Sequence, residues 1–238
     1  MNNRASARLT AVAAFASFLA AACGGSASPA TTTSTPTPST TTAATAAATV
    51  AATTASSANA WTVSDTSKAT IRVREQLVGV SLPSDAVLTA TGATGSFDLH
   101  SDGTFSSGSK ISFDITTLSS DKRDRDNFIK QDTLQVRQFP KAEFVPTKVT
   151  GLPLPLATSG SFTFTLTGNV TIRGKTKEVT FDVVAKRDGS DLTATATANP
   201  SWKFGDFGMT APSVPFRVVS VTDEIRVAID LVATGPKG

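Results

Sequence analysis

Few side chains in the sequence have the chemistry of a catalytic or metal-binding group. His100 is the only histidine, and it stands directly before the turn sequence Ser-Asp-Gly-Thr. The only cysteine, Cys23, lies far from it, near the start of the chain. A cysteine–histidine pair and the usual zinc ligand sets both need more of these residues. We therefore predict no catalytic residue and no metal site, and we interpret His100 as a solvated turn residue.

Charged residues concentrate in residues 121–126, which read Asp-Lys-Arg-Asp-Arg-Asp. The spacing of these carboxylates, with no glycine among them, does not match a calcium-binding loop. One interpretation is a salt-bridged helix surface. The other is a functional role for Asp124, Arg125 or Asp126, for example in an enzyme that acts on the head group of a lipid.

The elements that would position these residues include one helix, predicted in residues 119–134. Ser119 or Ser120 is expected to cap its first turn, where Asp121 would interact favourably with the helix dipole. Phe128 and Ile129 are its expected buried residues. No other segment has a helical pattern.

The rest of residues 61–238 alternates between apolar and polar residues, as half-buried strands do. Strands are predicted at 69–75, 85–91, 95–100, 109–118, 141–148, 161–173, 179–186, 191–199 and 223–233, with Gly92 and Gly95 separating the second from the third. Pro146 indicates an edge or a bulge, and residues 187–190 (Arg-Asp-Gly-Ser) indicate a hairpin turn. Because no strand–helix–strand rhythm is present, the pattern predicts an all-β domain of about eight antiparallel strands, as a sandwich or barrel.

A closed barrel of about eight strands can be filled by its own side chains or can hold one small ligand. Ala194, Ala196 and Ala198 share the apolar parity of one strand, and Gly168 interrupts a row of large residues on another. Small inward residues favour a cavity, whereas alanines that face outward would favour a filled core. Fourteen Phe and no Tyr suit an apolar guest.

The candidate site residues follow from strand parity, from the predicted helix and from an apolar loop at 207–216. The predicted apolar lining, for each member of which core packing is the alternative, is Phe113, Phe128, Phe162, Phe164, Leu166, Val179, Phe181, Ile225, Val227 and Ile229. The residues predicted near the mouth of the barrel are Arg125, Asp126, Phe207, Met209 and Phe216.

Residues 1–22 have the pattern of a secretory signal peptide, with two arginines followed by an uncharged run too short to span a bilayer. Small residues lead directly to Cys23, and this stretch resembles a bacterial lipobox, which implies that Cys23 is lipidated. An ordinary signal peptide with a chance cysteine is the alternative. The resemblance implies an extracytoplasmic protein that is anchored to the bacterial cell envelope by lipid.

Residues 23–60 contain almost only Gly, Ala, Ser, Thr and Pro and carry no charge, a composition that predicts a disordered tether. Coil statistics give such a tether a typical reach of roughly 35 Å and a maximum near 120 Å. The formal charge of the whole chain is +3, of which Arg4 and Arg8 supply two, leaving +1. So small a charge does not favour nucleic acid or anionic lipid as a partner.

Three motifs, in order, resemble the YceI-like domain family over residues 61–234. They are the central motif in residues 125–129 (RDNFI) and 133–148 (TLQVRQFPKAEFVPTK), a second in 166–183 (LTGNVTIRGKTKEVTFDV), and a closing region in 204–209 (FGDFGM) and 221–233 (VTDEIRVAIDLVA).

The resemblance implies a lipocalin-like fold, an eight-stranded antiparallel barrel with one short helix near one end. It also implies that an apolar tunnel binds a polyisoprenoid or another long-chain amphiphilic lipid, for storage or transport, with no further cofactor. A second hypothesis is a tethered protein-interaction module with a filled barrel, and an enzyme is the third.

Overall fold

The structure, a computed structural model, describes residues 60–236. The predicted signal peptide, Cys23 and the tether lie outside the described residues, except for Ala60, which begins the first strand. The nine strands are β1 (Ala60–Val63), β2 (Lys68–Leu77), β3 (Ser84–Asp98), β4 (Lys110–Ser119), β5 (Lys141–Thr150), β6 (Ser159–Ile172), β7 (Lys175–Asp188), β8 (Asp191–Ala198) and β9 (Val218–Thr234). Helix α1 (Arg123–Phe128) continues into a π-helical turn (Ile129–Thr133), and a 3-10 helix spans Phe204–Phe207.

Eight strands close into a ring in which every pairing is antiparallel. Around the ring, β2 to β9 follow in chain order, and β9 returns to pair with β2. β1 pairs with both β3 and β9 and extends the ring beyond the start of β2. The predicted all-β, eight-stranded antiparallel barrel with one short helix is confirmed.

Strand β3 differs from its prediction because it runs without a break through Gly92 and Gly95. Its pairing with β4 shifts register twice between Thr89 and Thr94, so the irregular residues form bulges instead of ending the strand. A Cβ at position 95 would overlap the carbonyl oxygen of Lys110, so this glycine allows two strands to approach closely. Pro146 lies at a register shift in β5, which is the bulge that the sequence predicts.

Helix α1 begins later than predicted. Its N-cap residue is Lys122, and no side chain caps its first turn. Ser119 ends β4, and the Ser120 hydroxyl donates to Asp126 Oδ1 at 2.6 Å instead of capping the helix. The predicted capping is therefore wrong, because the helix begins at Arg123 and both serines lie too far before its first turn to accept from the free N–H groups there.

Aromatic side chains pack together beneath the 3-10 helix, on one side of the barrel end at which β8 ends and β9 begins. The ring centroids of Phe144 and Phe181 are 5.4 Å apart, those of Phe181 and Trp202 are 5.9 Å apart, and those of Trp202 and Phe207 are 5.5 Å apart, all edge to face. Edge-to-face pairs at this spacing stabilise a core beyond the burial of their area. The Trp202 indole N–H has no hydrogen-bond partner within residues 60–236, and the rings of Phe181 and Phe207 flank it.

Gly168 does not leave the empty volume that the sequence suggests. A Cβ at this position would overlap the Phe144 ring and lie 2.6 Å from the Val145 carbonyl oxygen, so the ring from the neighbouring strand already occupies the space. Gly168→Ala is expected to lower the free energy of unfolding by about 2 kcal/mol through overpacking, as measured by urea denaturation. Gly108→Ala, where nothing lies within 4 Å of the added Cβ, should change it much less.

The opposite end of the barrel is closed by Trp61 and Arg187, which are 1% and 3% exposed. The Arg187 guanidinium lies 4.9 Å from the centroid of the Trp61 ring and donates to the carbonyl oxygens of Gly189, Leu156 and Ala157. Cation–π attraction and three hydrogen bonds thus compensate for burying this charge. No helix within residues 60–236 is long and apolar enough to cross a membrane.

Candidate functional site

An apolar cavity of about 1080 Å³ lies inside the ring of strands. Inward-facing side chains of β2 to β9 line it, because alternation places every second residue of a strand on the inside, and side chains of α1 and of the π-helical turn complete the wall. The lining includes nine of the ten residues predicted for it: Phe113, Phe128, Phe162, Phe164, Leu166, Phe181, Ile225, Val227 and Ile229.

Val179 and Asp126 do not line the cavity. Val179 is 5% exposed and belongs to the core cluster that contains Phe144 and Phe207. Asp126 is 8% exposed and accepts a hydrogen bond from Ser120. Alternation along β7 correctly predicts that Val179 faces inward, but the other side chains of this core cluster separate it from the cavity.

Phe207 and Met209 line the cavity, but they are buried, at 0% and 8% exposure, and not at an open mouth. The 3-10 helix folds them inward against Trp202, where they form part of the cavity wall. The structure thus places them in the buried wall of the cavity, whereas Phe216, from the same loop, is 95% exposed.

The mouth of the cavity lies beside α1, between the β2–β3 turn and the loop before β9. Val78, Val80 and Phe216 line the cavity and are also 53%, 45% and 95% exposed. The backbone N–H of Val78 donates to the carbonyl oxygen of Arg217, which joins the turn to the loop. A side chain that both lines the cavity and contacts solvent marks an opening, so we define the mouth by these residues and by α1.

A buried ion pair, Glu75–Arg125, is the main polar feature of the cavity wall. Arg125 Nη2 lies 2.5 Å from Glu75 Oε1, and their side chains are only 15% and 8% exposed. Arg125 Nη1 also donates to Asp121 Oδ1 at 2.6 Å and to Ser120 Oγ at 3.2 Å. Glu75 and Arg125 both line the cavity, so this pair faces any molecule inside it.

The Glu75–Arg125 pair joins α1 to β2, and Arg125 also forms an ion pair with Asp121 on the side that faces solvent. The hydrogen bond from Arg125 holds the pKa of the Asp121 carboxyl below its usual 3.8, against the opposing effect of burial, and the charges of Arg125 and Lys122 lower it further. The stability that this contact contributes is present above about pH 3.8 and is lost as the pH falls through the lowered pKa. In a carboxylate NMR titration of the whole chain, we expect the pKa of Asp121 to lie below 3.8 and to rise toward its ordinary value in Arg125→Ala. An Asp121 midpoint unchanged by the substitution would contradict this.

Asp124 in α1 and Lys122 at its N-cap form ion pairs at the surface. Asp124 Oδ2 lies 2.7 Å from Arg217 Nη1, and both side chains are more than two-thirds exposed. Lys122 Nζ lies 3.7 Å from Asp121 Oδ2. The prediction of a salt-bridged helix surface describes these residues, while Arg125 combines that role with a place in the cavity wall.

The alanines of β8 face inward, as the cavity hypothesis requires. Ala194 and Ala196 line the cavity, while Thr193, Thr195 and Thr197 are exposed on the outer surface. The alternative, in which the threonines face inward, is thus wrong. Small side chains on this strand leave room that larger ones would fill.

His100 lies outside the cavity wall, in the loop between β3 and β4. Its Nε2 is 2.9 Å from Ser106 Oγ, but the Ser106 hydroxyl donates its proton to Asp98 Oδ2 at 2.7 Å. The histidine is thus not placed to accept that proton, as a general base would. Within residues 60–236, no group of three or more His, Cys, Asp or Glu side chains is arranged to hold a metal ion.

The sequence patterns did not predict that Glu75, Val78 and Val80 line the cavity. Glu75 has the same parity in β2 as Val73 and Leu77, and this signal could have identified a charge that points inward. Val78 and Val80 lie in a turn, where no periodicity indicates which way a side chain points.

The family model described as the YceI-like domain matches residues 61–233. A UPF0312 protein of Pseudomonas putida strain W619 is 36% identical over 115 residues, which cover 44% of this chain and 54% of that protein. A UPF0312 protein of Pseudomonas fluorescens is 33% identical over 133 residues, covering 50% of this chain and 66% of that protein. The chain thus spans roughly half to two-thirds of the length of these curated relatives.

Two solved structures have a similar fold. A polyisoprenoid-binding domain from Saccharophagus degradans, implicated in plant cell wall breakdown, superposes with a TM-score of 0.54 at 9% identity and covers 74% of this chain and 98% of its own. Burkholderia cenocepacia BcnA superposes with a TM-score of 0.51 at 18% identity and covers 71% and 96%. At these identities the likeness extends to the fold alone.

Proposed function

The chain belongs to the YceI-like family, and from this premise we propose that it is an envelope lipoprotein whose barrel binds a polyisoprenoid or another long-chain amphiphilic lipid. The observation that carries the proposal is the apolar cavity of about 1080 Å³ that opens beside α1. A barrel filled by its own side chains, as the protein-interaction hypothesis requires, would have no such space.

The volume of the cavity sets the size of the ligand. At about 30 Å³ per heavy atom, the volume that water occupies in the liquid, the cavity holds roughly 36 atoms. This corresponds to about seven five-carbon isoprene units, or a comparable acyl chain, if the ligand fills the cavity completely.

The binding free energy would come mostly from removing apolar surface from water. Each buried methylene contributes about 0.8 kcal/mol, so one isoprene unit contributes roughly 3 kcal/mol before the costs of association and ordering. A few units are enough for useful affinity. Because apolar burial is non-directional, we expect the cavity to distinguish chains by length more than by structure.

The polar end of the ligand would lie at the Glu75–Arg125 pair. Arg125 offers N–H donors and Glu75 offers carboxylate oxygens, so a hydroxyl, carbonyl or amide could pair with either. A lipid with its tail in the cavity would place its head here, next to the mouth. Asp124, Arg125 and Asp126 are engaged in ion pairs and hydrogen bonds of the fold, so we rank the enzyme hypothesis last.

The N-terminal segment would anchor the protein outside the cytoplasm. We propose that residues 1–22 direct export, that Cys23 is then lipidated, and that residues 24–59 tether the barrel to the envelope. Lipidation of Cys23 would explain the single free cysteine in an exported protein. Cys23→Ser is expected to abolish metabolic labelling with a radioactive fatty acid and to release the protein from the membrane fraction.

Mass spectrometry of lipid bound to the full chain tests the binding proposal. The protein, purified from a bacterial host in mild detergent, is extracted with organic solvent, and the extract is compared with the intact mass of the complex. We expect one long-chain lipid per chain, and a delipidated sample should rebind a polyprenol. A delipidated protein that binds no polyprenol or long acyl chain would reject the proposal.

A further inference from the structure

The mouth of the cavity carries an exposed set of apolar side chains, which we call the apolar rim: Val78, Val80, Leu82 and Phe216. These are four of the eight large apolar side chains that are exposed within residues 60–236. Leu82 is 74% exposed and Phe216 is 95% exposed. Isolated apolar residues on a surface are ordinary, but a group around one opening indicates an interaction site.

The rim is continuous with the interior. Val78, Val80 and Phe216 also line the cavity, so apolar surface extends from the inside of the barrel to its outer edge. The β2–β3 turn and the loop before β9 that carry the rim are joined, because Leu77 pairs with Val218 and the Val78 N–H bonds to Arg217. The rim therefore forms one surface.

Charged side chains stand on the other side of the mouth, on α1. Asp121, Lys122, Arg123 and Asp124 are all exposed there. The two carboxylates form ion pairs with Lys122 and Arg217, and Arg123 is left without an ion pair within the described part of the chain. An apolar edge with a basic residue beside it matches the bilayer interface, where apolar groups enter the acyl region and cations meet lipid phosphates.

From these observations we infer that the apolar rim docks onto the surface of a lipid bilayer and that the ligand passes between bilayer and cavity through the mouth. This inference rests on the proposed function. A water-insoluble chain would then remain in apolar surroundings throughout its transfer. A protein seated on the rim would instead cover the mouth, whereas fluid lipid leaves the route open.

The position of the chain entry is compatible with docking. β1 begins at the end of the barrel opposite the mouth, since Ala60 pairs with Asp98 and the mouth lies where β2 ends. The longest strands have 14 to 17 residues, so the barrel is at most about 55 Å long at 3.3 Å per residue. Residues 24–59 can span about 120 Å when fully extended, enough for a chain anchored at Cys23 to turn its mouth to the same membrane.

A single fluorescent label can report insertion locally. In the full chain with Cys23→Ser, the only cysteine is gone, so Phe216→Cys provides a unique position for an environment-sensitive dye such as NBD. The matched control is Val184→Cys, which is 59% exposed on the outer wall of β7. Vesicles of phosphatidylcholine with 30 mol% phosphatidylglycerol, a composition chosen on the order of bacterial anionic content, provide the bilayer.

We expect the label at position 216 to shift to the blue and to be quenched by brominated acyl chains, while the label at 184 does neither. In addition, Leu82→Ser, at a rim residue that does not line the cavity, should slow transfer of a polyprenol between vesicles several-fold and leave its affinity in detergent unchanged. Equal responses at 216 and 184, or none at 216, would overturn the inference. So would burial of the label at 216 in a dimer that forms without vesicles.

The outcomes separate this inference from the proposed function. A protein that binds no polyprenol in detergent but inserts residue 216 into vesicles would reject the lipid ligand and retain the docking surface. A protein that binds polyprenol but does not insert this residue would reject docking alone.

Discussion

Ala194→Phe is expected to lower the affinity for a long polyprenyl chain by about 100-fold. Ala194 lines the cavity from β8, and the substitution adds six ring carbons to its wall. These would exclude about six carbons of a ligand that fills the cavity, a loss of up to ~5 kcal/mol, and partial rearrangement of the chain leaves roughly 3 kcal/mol. Affinity is measured by titration of the delipidated full chain with a fluorescent polyprenol in detergent.

Two comparisons make this result specific. Thr195→Phe places the same ring on the same strand, but on the outer surface, and should leave the affinity unchanged. A ligand of only two or three isoprene units should bind Ala194→Phe and the natural protein with similar affinity, because it does not need the space that is lost. If Ala194→Phe binds the long chain as tightly as Thr195→Phe does, the ligand does not occupy this cavity.

The strands were predictable because alternation is a local signal that the barrel preserves. In β7, Val179, Phe181, Val183 and Ala185 are all buried, and their polar neighbours are not. The same parity identified eight residues of the cavity wall, and the ninth, Phe128, came from the predicted helix. Alternation fixes which face of a strand points inward, and in a closed ring the inward faces meet.

Contacts between strands were not predictable in the same way. Gly168 and Phe144 are far apart in sequence, and only the pairing of β5 with β6 places the Phe144 ring over the glycine. The continuity of β3 depends on bulges against β4. The inward folding of Phe207 depends on its packing against Trp202. Each of these features depends on how distant parts of the chain pair or pack together, which local sequence patterns do not specify.

Arg125→Met is expected to lower the free energy of unfolding by about 3 kcal/mol, because it leaves the buried Glu75 carboxylate without its partner. Within residues 60–236, Arg125 is the only residue that forms an ion pair with Glu75. Methionine retains much of the apolar length of arginine, so the loss would come mainly from the charge. Urea denaturation of the full chain at pH 7 measures the change. Arg217→Met, which removes an exposed ion pair with Asp124, is the matched control and should change stability by less than about 0.5 kcal/mol.

Glu75→Gln should lower the free energy of unfolding by less than Arg125→Met does, because Arg125 has hydrogen-bond partners other than Glu75. In Glu75→Gln, Arg125 keeps the hydrogen bonds to Asp121 and Ser120, and glutamine still offers an acceptor at the same place. We expect a loss of about 1 kcal/mol for this neutral substitute. Equal losses for Arg125→Met and Glu75→Gln would contradict the assignment of Asp121 as a second partner of Arg125.

The double variant, Glu75→Leu with Arg125→Met, separates the cost of an unpaired charge from the value of the pair. Replacing both members of a buried ion pair by apolar residues is often neutral or stabilising, so we expect the double variant to be more stable than Arg125→Met by roughly 2 kcal/mol. Its cavity wall would retain the apolar lining but lose the charged groups beside the mouth. If the pair contacts a polar head group, this variant should bind a polyprenol more weakly than the natural protein while binding a polyprene hydrocarbon equally well. Equal affinity for the polyprenol in both proteins would mean that Glu75 and Arg125 only support α1 and take no part in binding the head group.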